Sequence, residues 1–172
     1  MSQFLNLDET TRLNMIAEFG LDEKVGLLYP PKTLQPAFRP SYWSALKHSL
    51  WYGTPDSLQK ALPPLFFREK DKSGRKTPYN AKEVLAFSDF NRYYCRAILV
   101  RAIDENKCVY VYRAKEAQNI RSDSKSLLQT CYANENALKQ LLHTMRNYHL
   151  LFSSNSNVPF MRPNSGLSLR LG

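Results

Sequence analysis

The chain is poor in the residues that staple, hinge or anchor a protein. It holds three cysteines, Cys95, Cys108 and Cys131, in 172 residues, and none stands in a CxxC pair. An odd number at such spacing argues against a disulfide framework and against a structural zinc site. Each cysteine stands beside apolar or aromatic residues, where a free thiol is expected to serve as a small core side chain. Glycine occurs six times and forms no GxGxxG, P-loop or GxSxG motif, so nucleotide and hydrolase signatures are absent. Long apolar runs are missing too. The longest, such as Ala97–Val100, fall far short of a membrane span, and the first residues lack the basic start and apolar stretch of a signal peptide. These absences lead to the expectation of a cytoplasmic protein with no membrane span, no metal and no cofactor.

Acidic residues are outnumbered, 15 against 24 lysines and arginines, for a net charge of +9. The imbalance is uneven. Residues 1–30 carry 2 basic and 5 acidic side chains, whereas residues 31–80 carry 9 and 3. A positive excess of this size favours polyanions such as nucleic acid, acidic lipid or an acidic protein face, without choosing among them. Hydrophobic residues make up 43% and aromatics 12%, enough to close a core. Length and composition lead to the expectation of a single domain over 1–172, with a proline-rich connector at 29–40 and an exposed basic loop at 68–78.

Local signals point to an α+β fold, mainly helical, with five or six helices and a small two- or three-stranded sheet in the C-terminal half. Asp8 is placed to cap a helix over about 9–19, whose apolar stripe would be Leu13, Ile16 and Ala17 and whose stop would be Gly20. Ser41 would cap a helix ending near Gly53. Thr54-Pro55-Asp56 is the clearest helix start, combining a capping hydroxyl, a proline at the first helical position and an acid at the positive end of the dipole. Asn80 and Glu83 have capping-box spacing for a short helix ending near Phe87. Ser88 and Asp89 would then begin a second one, over roughly 89–105. Cys108–Tyr112 reads as a strand and Leu167–Leu171 as its closing partner. A late helix beginning at Ala133 or Asn134 carries the stripe Ala137, Leu138, Leu141, Leu142 and Met145.

Two groups of cations are candidate nucleic-acid contacts. Arg68, Lys70, Lys72, Arg75 and Lys76 surround Gly74 in a segment without apolar residues; the bland reading is a solvated linker. Arg92 and Arg96, four apart on a helix with Tyr93 beside them, are joined by Arg113 and Lys115 at a strand end. Together they could grip phosphates and stack bases, or pair with acids on a neighbouring helix, for which Asp89, Asp104, Glu105 and Glu116 are available. Trp43, Trp51, Phe66 and Phe67 are candidate protein-interface anchors, against the simpler reading of core residues.

Catalytic patterns are not found. Arg113-Ala114-Lys115 has the spacing of the acid-x-lysine half of metal-dependent nucleases, but an arginine stands where a metal needs a carboxylate. His48, His143 and His149 offer no metal pair at helical spacing, and His48 is expected to pack in the core. The reading favoured by the residues is a non-catalytic accessory protein that binds nucleic acid through a basic face. The alternatives are an interaction subunit or adaptor of a larger assembly, and an enzyme of unrecognised type.

Overall fold

A computed structural model describes residues 3–70, 73–116, 122–162 and 164–172. Among the described residues, seven α-helices and three strands follow one another as α1 (Glu9–Lys24), α2 (Arg39–Tyr52), α3 (Pro55–Ala61), α4 (Ala81–Asp104), β1 (Val109–Arg113), α5 (Ser122–Ser126), β2 (Cys131–Tyr132), α6 (Glu135–Arg146), α7 (Tyr148–Leu151) and β3 (Leu167–Leu171). The architecture is α+β and mainly helical, as the local signals imply.

Helix α4 is the axis. It is one helix of 24 residues, where the sequence suggests two. Asn80 makes no side-chain cap, and Ser88-Asp89 lies in the helix interior rather than at a start. The misleading signal has a physical origin. Short polar side chains favour caps because they compete for backbone hydrogen bonds. Here Asp89 is instead occupied by the Tyr42 hydroxyl and by Arg92. All eleven residues Asp89–Leu99 are buried, so the helix is enclosed on every side rather than amphipathic.

Helix α1 lies along α4, and its inward face was misjudged from sequence. Leu13 and Ala17 are exposed, while Thr11, Met15, Glu18, Phe19 and Asp22 are buried. Asp8 does cap it, accepting from the Thr11 backbone N–H at 2.9 Å. The helix runs through Gly20 and ends at Val25, where Gly26 with φ +69° turns the chain.

Most other local signals hold, but Ser41 is not a cap: Phe38 stands at the N-cap of the second helix and makes no side-chain hydrogen bond there. Thr54 and Ser57 form a reciprocal capping box at the start of α3. Helix α2 begins two residues before Ser41, with Pro40 in its first turn, and stops at Gly53. Asn134 caps α6, whose Leu138, Leu141, Leu142 and Met145 are buried. The connector between α1 and α2 is irregular apart from a 3-10 turn at Pro36–Phe38. The segment after Phe67 is an exposed hairpin bridged at Lys70 and Lys76.

The sheet has the antiparallel order β2-β1-β3. β1 pairs with β3 over five residues, Val109 opposite Leu171 through Arg113 opposite Leu167. Every β3 residue but Arg170 is buried, so both faces of the sheet's C-terminal edge are covered. Gly166, at φ +66°, offers its carbonyl to the backbone N–H groups of both Ala114 and Lys115.

Two glycine substitutions should therefore act in opposite directions. Gly20→Ala sits in a helix with open space around its Cβ and should add about 0.4–1 kcal/mol of stability. Gly166→Ala would overlap the Lys115 carbonyl in a left-handed conformation and should destabilise by more than that amount. Urea denaturation of both variants reads the contrast, and a destabilised Gly20→Ala would show that α1 does not run through this position.

Candidate functional site

Two spacings of four residues create the central feature. Glu18 and Asp22 share one face of α1, and Arg92 and Arg96 share one face of α4. Where the helices meet, the Arg96 Nε–H donates to Glu18 Oε2 at 2.8 Å, and its terminal nitrogens donate to Asp22 Oδ2 and Oδ1 at 2.6 and 3.1 Å. A further bond runs to the Glu18 backbone carbonyl at 3.1 Å. Arg146 on α6 reaches Glu18 from the other side. Tyr93 and Tyr148 each donate a hydroxyl to Asp22 Oδ2 at 2.9 Å.

Arg92 belongs to a second, adjoining pair. Its terminal nitrogen lies 3.0 Å from Asp89 Oδ1, and Asp89 Oδ2 accepts from the Tyr42 hydroxyl at 2.5 Å. The guanidinium is enclosed by the rings of Tyr148, Tyr93 and Tyr29 at 4.9, 5.5 and 5.6 Å. Its Nε–H has no hydrogen-bond partner among the described residues. An unmatched buried donor costs about 1–3 kcal/mol, which the three ring faces partly offset. Burial, and then the Asp89 charge, hold the Tyr42 phenol well above its usual pKa, so it remains a donor.

This geometry corrects the proposed basic face. Arg92 and Arg96 are 4% and 0% exposed and Tyr93 is 1% exposed, so none presents a surface to phosphate. Their partners are carboxylates, two of them on α1, which no local signal places alongside α4. Lys115 is committed to Glu83 at 2.7 Å and lies over the Phe87 ring. Arg113 is half-buried and donates to the Ser165 carbonyl at 2.9 Å. The five residues do not form one open cationic patch.

The loop cations fare differently. Arg68 ties the hairpin down through its Nε–H to the Leu34 carbonyl at 3.1 Å, whereas Lys70, Arg75 and Lys76 are exposed. Lys72 lies outside the described residues. The aromatic anchors are largely turned inward. Trp43, Phe66 and Phe67 pack against the core, Phe66 stacking on Phe38 at 4.7 Å. Trp51 is half-buried and meets Tyr52 edge-on. His48 is exposed beside Tyr52 rather than packed in the core. Of the cysteines, Cys95 is buried, Cys108 half-buried and Cys131 exposed, so the core reading holds for the first.

Sequence reasoning missed a cleft of about 360 Å³ above the Asp89–Arg92 pair. One wall is the connector at Tyr29–Thr33, another the first three turns of α4, and the third Leu151, Phe152, Met161 and Asn164. Its volume lies in the range of small-molecule sites, about 300–1,000 Å³, and its lining is mainly apolar with a few polar groups at one end. The only sequence signal was the density of polar residues inside an otherwise apolar helix, at Ser88, Asp89 and Arg92. Among the described residues, no group of three His, Cys, Asp or Glu side chains is placed to hold a metal ion, and no helix is long and apolar enough to cross a membrane. No protein-family model, curated protein or solved structure matches the chain.

Removing one partner from the buried charge network should be costly. Asp22→Ala should lose about 3–5 kcal/mol because it leaves Arg96 with Glu18 alone and takes the acceptor from the Tyr93 and Tyr148 hydroxyls; a loss under about 1 kcal/mol in urea melts would contradict the pairing. Alkaline pH should also unfold the protein. Burial raises the pKa values of Tyr42, Tyr93 and Tyr94, and pushes Cys95 up to about 12. These groups therefore stabilise fully below their unfolded values of about 8.5 for cysteine and 10 for tyrosine, and the contribution is lost as pH rises beyond them. Denaturation midpoints should be flat from about pH 7 to 8 and fall above about pH 9.

Proposed function

We propose that this protein is a non-catalytic binding protein whose recognition site is the cleft over Asp89 and Arg92. The observation that carries this reading is the buried donor–acceptor pair at the base of an apolar cleft. The pair also serves helix packing, and its place in the lining of an apolar cleft is what adds a binding role. A ligand gains from such groups because they are already desolvated and held by Tyr42 and Tyr148, so little ordering remains to be done on binding. No nucleophile is paired with a base at the cleft, which holds neither histidine nor cysteine among its lining residues. Binding therefore fits the site better than group transfer.

A second reading concerns the hairpin. Lys70, Arg75 and Lys76 stand on an exposed turn braced by Arg68, a surface that suits a polyanion such as single-stranded nucleic acid. Only about three phosphates can be met this way, so affinity should fall roughly twentyfold between 50 and 200 mM salt. Fluorescence anisotropy with a labelled oligonucleotide measures the slope. Lys70→Glu with Lys76→Glu should abolish the signal, and undiminished binding by that double variant would remove the hairpin from consideration.

The cleft reading is tested by protein-observed NMR with a panel of benzoate, indole, octanoate and adenosine monophosphate. At least one compound should shift amides in 29–33, 80–92 and 151–152. Val84→Trp, which fills the cleft from its wall, should abolish those shifts while the circular dichroism spectrum stays unchanged. Shifts that survive the filled cleft, or a panel without effect, would reject it.

A further inference from the structure

The chemistry of the cleft changes from floor to rim. At the floor, Asp89 and Arg92 sit 3.0 Å apart with little net charge, and because Asp89 and three tyrosine rings enclose Arg92, the capacity left for a ligand lies on Asp89. Each Asp89 oxygen has one partner in hand, leaving further lone pairs for a ligand donor. A bare anion would feel the carboxylate as strongly as the guanidinium and gain little from the pair. A ligand edge that donates to Asp89 and accepts from a neighbouring hydroxyl or amide matches the lining. Ser88 and Asn80 extend the same two-sided character along α4.

Above the floor, Val84 and Leu85 offer flat apolar contact. The lip is aromatic: the Tyr29 ring centroid lies 5.0 Å from those of both Phe152 and Tyr148, and Phe152 is 52% exposed. Positive charge is confined to the outside. Lys32 stands on the rim, and the basic hairpin springs from it, with the Arg68 backbone N–H bonded to the Thr33 carbonyl at 2.9 Å. Thr33 and Pro78, one at each root of the hairpin, both line the cleft.

Hydrogen-bonding groups at Asp89, Ser88 and Asn80, apolar side chains at Val84 and Leu85, the rings of Tyr29 and Phe152 and the cation of Lys32 line one cleft, and together they match the edge, faces and phosphate of a nucleotide. We propose that the cleft is a nucleotide site, with the base edge toward Asp89 and Ser88, a base face against the Phe152 and Tyr29 rings, and the phosphate at Lys32. The proposal rests on the ligand-binding reading above and names its ligand class. Base stacking on aromatic rings is tolerant of base identity, so the same site can take a free mononucleotide or one unit of a single strand.

Isothermal titration and NMR of the full chain with the four common ribonucleoside monophosphates, their nucleosides, inorganic phosphate and a short oligouridylate separate these cases. At least one mononucleotide should bind more tightly than about 1 mM, and phosphate at least about tenfold more weakly. Lys32→Glu should weaken the mononucleotide about fivefold to tenfold and leave the nucleoside unchanged, whereas Phe152→Ala should weaken both. Both side chains are exposed, so the folded state is retained and circular dichroism checks it. Tighter binding of the oligouridylate identifies a strand as the source; equal or weaker binding identifies the free nucleotide. Phosphate binding as tightly as the nucleotides would overturn the proposal in favour of a simple anion site. Benzoate, indole or octanoate shifting the cleft while every nucleotide and nucleoside is silent would overturn the nucleotide assignment and leave the ligand-binding reading standing. Silence from all compounds would remove both.

Discussion

Three guanidinium groups, two buried and that of Arg146 exposed, meet three buried carboxylates at the centre of this molecule. Arg96 and Arg146 meet Glu18 and Asp22, and Arg92 meets Asp89, with Tyr93 and Tyr148 in contact with both groups. Taking such charges out of water costs several kcal/mol per ion, so the arrangement persists only because nearly every polar atom is matched. Its effect is geometric. Forked donors accept few positions of their carboxylate partners, so α1 is held in one register along α4, where a greasy face would tolerate sliding.

The same network shapes the cleft. Tyr148 gives its hydroxyl to Asp22 and its ring face to Arg92, so α7 is fixed relative to α4 by one side chain. Tyr29 completes the enclosure and brings the connector against Phe152. The cleft is thus a gap left between elements that are each clamped to the charge network. Its floor is rigid, while its rim is built from loop residues whose side chains reach solvent.

The elements that were legible in sequence are those whose signals are local. The Thr54-Pro55 start, the Asn134 cap, the leucine stripe of α6 and the strand pair at 109–113 and 167–171 depend on backbone chemistry and short-range patterning. Helices α1 and α4 were misread for a shared reason. α1 turns Glu18 and Asp22 inward and leaves Leu13 exposed, which inverts the usual meaning of an apolar stripe. α4 carries polar residues at its centre because its neighbours, rather than water, satisfy them, and so Ser88-Asp89 resembles a boundary.

Sequence alone determined the class of the fold, most element positions and the exposure of the hairpin, since composition, caps and turn residues act within a few positions of one another. Tertiary structure decided which charges are available. An arginine on a surface and an arginine sealed against two carboxylates are written with the same letter, and the partners of Arg96 lie 78 and 74 residues away in the chain. The cleft was decided at the same level, because its walls come from three separated segments that are brought together only when the buried ions find one another.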